Sequence, residues 1–132
     1  MVVVLIIGIL MSIAIPTFLG ARRRAQDGVA KESLRTAVTA AAVASAEDMS
    51  YSAIDPSTMA AEEGALSYVD AGTPSTGPKQ ISIGGVDDKL GAAVMSDSGA
   101  CWLATSDMRG GSNSTMSDSA KECTAKAAMG SG

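Results

Sequence analysis

The first 24 residues, MVVVLIIGILMSIAIPTFLGARRR, decide the architecture of the chain. Residues 1–21 carry no charged side chain, and at about 1.5 Å of rise per residue they would form roughly 31 Å of helix, the thickness of the hydrocarbon layer of a bilayer. Only the hydroxyls of Ser12 and Thr17 interrupt the apolar surface. A core helix of a soluble domain normally keeps a polar stripe, so the pattern favours a membrane-spanning helix.

Arg22, Arg23 and Arg24 end the apolar run abruptly. Of the 10 basic residues in the chain, the 7 others follow this cluster, together with all 14 acidic residues. A cleavable secretory signal would instead have positive charge before its apolar run and a small-residue cleavage site after it. The sequence therefore favours a membrane segment that stays attached to an acidic domain.

Residues 25–48 continue the helix with a different surface. Helical projection at 100° per residue places Asp27, Lys31, Glu32 and Arg35 in one sector, which predicts a solvated face. Apolar or small residues form two flanks, one with Leu34, Val38 and Ala41, the other with Ala25, Val29, Ala37, Ala40 and Ala44. We expect one flank to pack on the chain's own domain and the other on neighbouring copies. The alternative is a helix that is sunk wholly in its own domain.

Residues 49–132 are rich in Ser, Gly, Asp and Thr and predict a short antiparallel sheet of three or four strands. Asp55 and Pro56 predict the start of a short helix that ends at Gly64, because Asp caps helix N-termini and Pro suits the first helical position. The residues 96–99, SDSG, predict a hairpin turn. The predicted strands are residues 66–70, 80–84, 90–95 and 100–105.

Cys101 and Cys123 are the only cysteines. An even count in a chain with a membrane-type segment indicates a disulfide and an oxidising, extracytoplasmic compartment. The intervening residues hold too little apolar side chain to fold by burial alone, so we expect a loop that the disulfide closes. The positive-inside rule would place the arginine side in the cytoplasm, but the cysteines favour the outside, which implies that flanking residues before Met1 are missing.

No enzyme, metal site or cofactor is expected from the composition. The chain has no histidine, which excludes His-based triads and most zinc sites, and it has no glycine-rich phosphate loop followed by Lys. Asp87, Asp88 and Asp97 lack regular calcium-loop spacing, so solvated loop carboxylates are the favoured interpretation. The net charge of −4 indicates no direct nucleic-acid site. Asn113 opens an N-glycosylation sequon in a predicted exposed loop.

The stretch MVVVLIIGILMSIAIPTFLGARRRAQD resembles the N-terminal helix of type IV pilins, closest to the short-leader pilins of Gram-positive and related bacteria. The resemblance is specific over about the first 45 residues. It implies an α+β ladle, in which a long N-terminal helix packs on a small antiparallel β-sheet head with a disulfide-closed C-terminal loop. It also implies that the mature chain begins a few residues upstream of Met1 and includes a glutamate two residues before it.

The resemblance divides the chain into residues 1–24, a transmembrane and filament-core half of the helix; residues 25–48, its amphipathic half; and residues 49–132, an extracytoplasmic head. The filament-core and membrane residues it implies are Val4, Ile7, Gly8, Ile9, Ile13, Pro16 and Phe18, with Arg22 to Arg24 as a basic boundary.

The function that the resemblance implies is a structural subunit of a type IV pilus, membrane-inserted before assembly and afterwards part of a cell-surface filament for adhesion, motility or DNA capture. Its partners would be copies of itself, the membrane, a prepilin peptidase, an assembly ATPase and an inner-membrane platform. Two alternatives stay open. One is a pseudopilin of a type II secretion or competence system, and the other is a monomeric single-pass anchor that presents a binding domain.

Overall fold

The computed structural model of the chain describes residues 1–109, 112–117 and 122–130. Two helices come first in these residues, followed by one five-stranded sheet with strand order β1-β2-β3-β4-β5 and a third helix. This is the predicted α+β ladle. Its elements are α1 (Val2–Ala44), α2 (Pro56–Glu62), β1 (Ser67–Asp70), β2 (Gln80–Val86), β3 (Lys89–Met95), β4 (Cys101–Asp107), β5 (Ser112–Ser117) and α3 (Ala125–Gly130).

Helix α1 is continuous over 43 residues, about 65 Å at the usual helical rise. Only its second half contributes to the core, and the buried residues there follow the 3.6-residue period of one helix face. The first half projects away from the sheet. The buried residues of α1 are Ala30, Ser33, Leu34, Ala37 and Ala41.

Helix α2 begins as the sequence predicts. The Asp55 Oδ1 atom accepts a hydrogen bond from the Thr58 backbone N–H at 2.8 Å and another from the Ser57 hydroxyl at 2.7 Å. Pro56 occupies the first turn. A backbone N–H at this position has no helical carbonyl to donate to, so proline costs no hydrogen bond there. Met59 is fully buried and fixes this short helix to the core.

The sheet is mixed, whereas the sequence predicts an antiparallel one. Pairs β2–β3, β3–β4 and β4–β5 are antiparallel, but β1 runs parallel to β2. Because β1 has only four residues, the connecting residues 71–79 need to carry the chain back only about 13 Å. Ser75 organises this loop, since its hydroxyl donates to the Gln80 carbonyl at 2.5 Å and accepts from the Met95 N–H at 3.0 Å.

Both faces of the central strand β3 are covered. Leu90, Ala92 and Val94 face α1 in the main core, which also contains Ile81 and Ile83 of β2. Ala93 belongs to a smaller cluster on the other face with Cys101, Leu103, Cys123 and Ala128. The alternation along β3 therefore places the helix-facing core on one side and the C-terminal segment on the other.

The C-terminal segment contains more regular structure than the predicted loop. Strand β5 pairs with β4 in antiparallel register, and α3 packs on β3 at Gly91. A Cβ atom at Gly91 would overlap the Ala125 carbonyl and the Met129 side chain, so the close approach requires glycine. The Ala125 N–H also donates to the buried Ser82 hydroxyl at 3.0 Å.

Candidate functional site

The most unusual surface is the free helix half, which we define as residues 1–24. Each of these residues is exposed, and the large apolar side chains from Val2 to Leu19 are at least 50% exposed. By length and composition α1 can cross a membrane, and its most apolar 18-residue window is 0% buried. A continuous apolar surface of this size needs lipid or other helices to cover it.

The predicted membrane and filament-core residues all lie on this exposed surface. They surround the helix rather than forming one stripe, so the surface can be covered only by partners on several sides. These residues are Val4, Ile7, Gly8, Ile9, Ile13, Pro16 and Phe18.

The two hydroxyl groups within the free helix half are satisfied locally. The Ser12 hydroxyl donates to the Ile9 carbonyl at 2.7 Å, and the Thr17 hydroxyl donates to the Ile13 carbonyl at 3.4 Å. Such bonds to the preceding turn let Ser and Thr sit in an apolar medium. The helix also runs unbroken through Pro16, although proline supplies no N–H to the Ser12 carbonyl.

Two glycines of the free helix half have no packing role within the chain. A Cβ atom at Gly8 or Gly20 would meet no other atom within 4 Å. Small residues on a helix allow close approach of a second helix backbone. The open space at these positions is thus available to a partner outside the chain.

The three arginines end the free helix half. Arg22, Arg23 and Arg24 are exposed, and no carboxylate in the described part of the chain lies within 4.0 Å of their side chains. The nearest acid along the helix, Asp27, is bound to the head instead. The cluster is therefore an uncompensated concentration of positive charge in the structure.

Asp27 joins the helix to the β3–β4 turn. The Ser98 hydroxyl donates to the Asp27 Oδ1 atom at 2.5 Å, and this hydrogen bond is the main reason that the pKa of Asp27 is lowered. Burial opposes the shift, while Ser96, Trp102 and Lys31 reinforce it. Lys31, Glu32 and Arg35 are exposed, as predicted for the solvated face. Asp27 is only partly exposed, because the turn folds onto this side of the helix.

Lys31 makes the second contact between α1 and the head. Its Nζ atom lies 4.0 Å from the centroid of the Trp102 ring on β4, a favourable cation–π distance. Helical projection places Lys31 in the solvated sector but cannot show that β4 extends beneath it. Asp27 and Lys31 are one turn apart, so together they hold α1 on the head directly beyond the arginines.

The structure confirms the first predicted flank of residues 25–48 and corrects most of the second. Leu34 and Ala41 are buried against the head. Ala37 is also buried, because it lies three residues after Leu34 on the same helix face. Ala40 and Ala44 are partly buried against the same core. The assignment of these three alanines to the flank that faces neighbouring copies is therefore wrong. Val29 and Val43 are 47% and 64% exposed, so the alternative of a helix sunk in its own domain is wrong.

The cysteines form the predicted disulfide. Cys101 at the start of β4 is bonded to Cys123, with the Cα atoms 5.6 Å apart, and both residues are buried. The Ser75 N–H donates to the Cys123 carbonyl at 2.9 Å. The C-terminal segment is thus fixed to the sheet by the disulfide and to the β1–β2 loop by this hydrogen bond.

The candidate carboxylates lie at opposite ends of β3, with Asp87 and Asp88 directly before this strand and Asp97 after it. Asp88 is 3.8 Å from Arg109, and no group of three or more His, Cys, Asp or Glu that could hold a metal occurs among the described residues. Asn113 pairs with Thr105 in the edge strand β5, so the sequon lies in a strand rather than in the predicted loop. Asn113 stays a candidate glycosylation site.

Comparison of the chain with protein-family models, with curated proteins and with solved structures finds no match. The functional interpretation therefore depends on the residues and their geometry, and on the resemblance of the N-terminal sequence.

Proposed function

We propose that the chain is a structural subunit of a type IV pilus, which polymerises through α1 into a surface filament. The single observation that carries this proposal is the free helix half, an exposed apolar cylinder rigidly continuous with a helix that packs into a disulfide-closed head. A globular domain gains nothing from such a surface unless lipid or copies of the helix cover it.

The same apolar cylinder suits both a lipid bilayer and the core of a filament. A helix satisfies its backbone hydrogen bonds internally, so it is stable in lipid, and it remains so when it is bundled with other helices. Transfer from the membrane to a helix bundle leaves little apolar area exposed to water. Gly8 and Gly20, which have open space around them, would allow neighbouring helices to approach closely.

A second apolar surface favours polymerisation over a simple membrane anchor. Val29 and Val43 are exposed on the amphipathic half of α1. Ala25, on the same flank, is nine residues before the buried Leu34 and so points about 180° away from the head-facing side. Contact between this flank and a different surface of the next copy would be heterologous, and repeated heterologous contacts generate helical filaments.

The proposal includes the location and the partners. The free helix half is inserted in the membrane before assembly, with the head outside, where the disulfide is stable. The N-terminal resemblance supplies the remaining partners, which are a prepilin peptidase, an assembly ATPase and an inner-membrane platform. Adhesion, motility or DNA capture would be the work of the filament, with no catalysis and no cofactor in the subunit.

Shearing of surface filaments from cells that express the chain tests the proposal. We expect the sheared fraction to contain long filaments in which mass spectrometry identifies this chain as the main component. Ile9→Lys should abolish them, because a lysine at a bilayer centre costs roughly 2.5 to 3.5 kcal/mol on insertion scales and would recur in every subunit of a filament core. The matched control is Val86→Lys, which changes an exposed apolar residue of the head and should leave filaments intact.

The outcomes separate the alternatives. Short filaments that form only with a secretion or competence machine would identify a pseudopilin. A chain that is found only as a membrane-bound monomer would contradict polymerisation and support the single-pass anchor. Normal filament numbers with Ile9→Lys would show that the free helix half is not the core.

A further inference from the structure

We infer that Arg22, Arg23 and Arg24 form a collar that binds the anionic headgroups of a lipid bilayer around α1 before assembly. The inference rests on the membrane-inserted state of the proposed function. It adds a lipid-binding site, a preference for anionic lipid and a fixed depth for the helix in the bilayer.

The position of the collar along α1 matches the edge of a bilayer. The preceding residues 1–21 contain no charged side chain, and they are about as long as the hydrocarbon layer is thick. A helix that fills this layer with its apolar residues would bring the collar into the headgroup region. Arginine suits this region because its aliphatic stem can lie along lipid chains while its guanidinium group reaches the phosphates.

The radial arrangement suits a layer of lipid better than a single protein partner. Consecutive residues of an α-helix point about 100° apart, so three adjacent arginines point in three directions around the axis. A groove on a neighbouring subunit approaches from one side and could engage one or two of them. A headgroup layer surrounds the helix and can engage all three at once.

The structure also leaves the collar without an internal counter-charge. Asp27 follows Arg23 by four residues, the spacing at which a helical ion pair would form. Its carboxylate instead accepts the Ser98 hydroxyl at 2.5 Å, and the positive charge that helps to lower its pKa is that of Lys31. No other carboxylate in the described ranges lies within 4.0 Å of the collar. The positive charge is therefore available to anions outside the chain.

The chemistry favours phosphate headgroups that keep a net negative charge. Guanidinium groups bind phosphate oxygens through paired N–H donors, and an anionic headgroup adds a net attraction that a zwitterionic one lacks. The attraction is about 1 kcal/mol for each basic residue near an anionic surface, which corresponds to roughly a fivefold preference per arginine.

The head would lie directly above the headgroups. Asp27 comes three residues after Arg24, about 4.5 Å along the axis, and it already contacts the β3–β4 turn. Less than one helical turn therefore separates Arg24 of the collar from Asp27, which contacts the head. This short separation fixes how deeply the apolar residues enter the bilayer. Extraction of the subunit into a filament would have to break the collar's contacts with lipid.

Native mass spectrometry of the full chain, released from nanodiscs that contain phosphatidylcholine and phosphatidylglycerol, tests the inference. We expect the wild-type chain to retain phosphatidylglycerol about fivefold above its bulk ratio, and high salt before release to reduce this enrichment. The triple variant Arg22→Gln, Arg23→Gln, Arg24→Gln should retain the two lipids at the bulk ratio. Replacement of the same three residues by lysine should preserve most of the enrichment.

A matched control removes the same amount of charge from the head. Lys79, Lys89 and Lys126 are exposed, and their triple replacement by glutamine should leave the enrichment unchanged. Enrichment that is absent from the wild type, or that persists in the arginine-to-glutamine variant, would overturn the collar while leaving membrane insertion intact. If that variant retains lipid like the wild type yet forms no filaments, the arginines act between subunits. A wild-type chain that does not enter the nanodisc would contradict the proposed membrane state itself.

Discussion

Truncation of Leu34 to alanine separates the two roles of α1 when it is compared with the same change at Leu10. Leu34 is 3% exposed in the interface between α1 and the sheet, whereas Leu10 is 60% exposed in the free helix half. Both changes remove the same atoms from the same helix. They differ only in what covers the side chain.

The expected loss of head stability differs between the two variants. Leucine-to-alanine changes in a packed core reduce the free energy of unfolding by about 2 to 5 kcal/mol, because the cavity refills only partly. For a domain the size of the head, each kcal/mol lowers the unfolding temperature by roughly 4 °C or more. Leu34→Ala should thus lower the unfolding temperature of the head by at least about 8 °C. Leu10→Ala should leave it nearly unchanged and reduce filament yield instead.

Thermal unfolding of the full chain in detergent, followed by the near-ultraviolet signal of Trp102, measures the effect, since this ring reports the packing of β4 against α1. Sheared filament yield gives the second reading for each variant. An equal loss of head stability in both variants, or no loss in Leu34→Ala, would refute the division of α1 into a free half and a core-packed half.

Three further predictions concern the disulfide, Asp27 and the proline segment. Replacement of both Cys101 and Cys123 by serine should reduce the free energy of unfolding by about 3 kcal/mol, given a sequence separation of 22. Urea unfolding measures this, and an unchanged midpoint would count against a structural role of the bond. The pKa of Asp27 is lowered from 3.8, mainly by the hydrogen bond from Ser98. This contact should therefore stabilise the fold above about pH 4 and weaken as the pH falls through the lowered pKa. An NMR titration of Asp27 should show a midpoint below 3.8 that rises in Ser98→Ala, and an identical midpoint in that variant would be contrary evidence. In a filament, other chains can donate hydrogen bonds to backbone carbonyls that leave the helix. The backbone between Gly8 and Pro16 should therefore become irregular there, and Pro16→Ala should restore the helix. Unbroken helical hydrogen bonds in this segment of the wild-type filament would show this expectation to be wrong.

Local sequence signals were sufficient for much of the fold. The capping of α2 by Asp55 and the turn at residues 96–99 depend on neighbouring residues, so a reading of the sequence can find them. The Ser96 N–H does donate to the Ala100 carbonyl at 2.8 Å across that turn. The four predicted strands correspond to β1 through β4 within about two residues at each end.

Features that depend on distant partners could not be predicted. Strand β5 contains one large apolar residue, Met116, so its ordering comes from edge pairing with β4 rather than from its own pattern. Helix α3 has six residues, too few to show a helical period. The direction of β1 depends on how the β1–β2 loop folds, which includes hydrogen bonds of Ser75 to residues far along the chain.

The junction between helix and head shows the same limit. Charge spacing placed Asp27 and Lys31 correctly on one helix face, but it could not reveal that Ser98 and Trp102 contact them. The exposed surface of residues 1–21 was, by contrast, predictable from the sequence, because an apolar run of this length without a polar stripe favours a membrane-spanning helix over a core helix.

Helical reconstruction by cryo-electron microscopy of filaments sheared from cells that express this chain tests the central claim most directly. The proposed function predicts a map in which this chain is the repeating subunit, with residues 1–24 packed together at the filament axis and the disulfide-closed heads on the outer surface. A map in which the subunit is another protein, or in which residues 1–24 lie outside the packed axis, would contradict it.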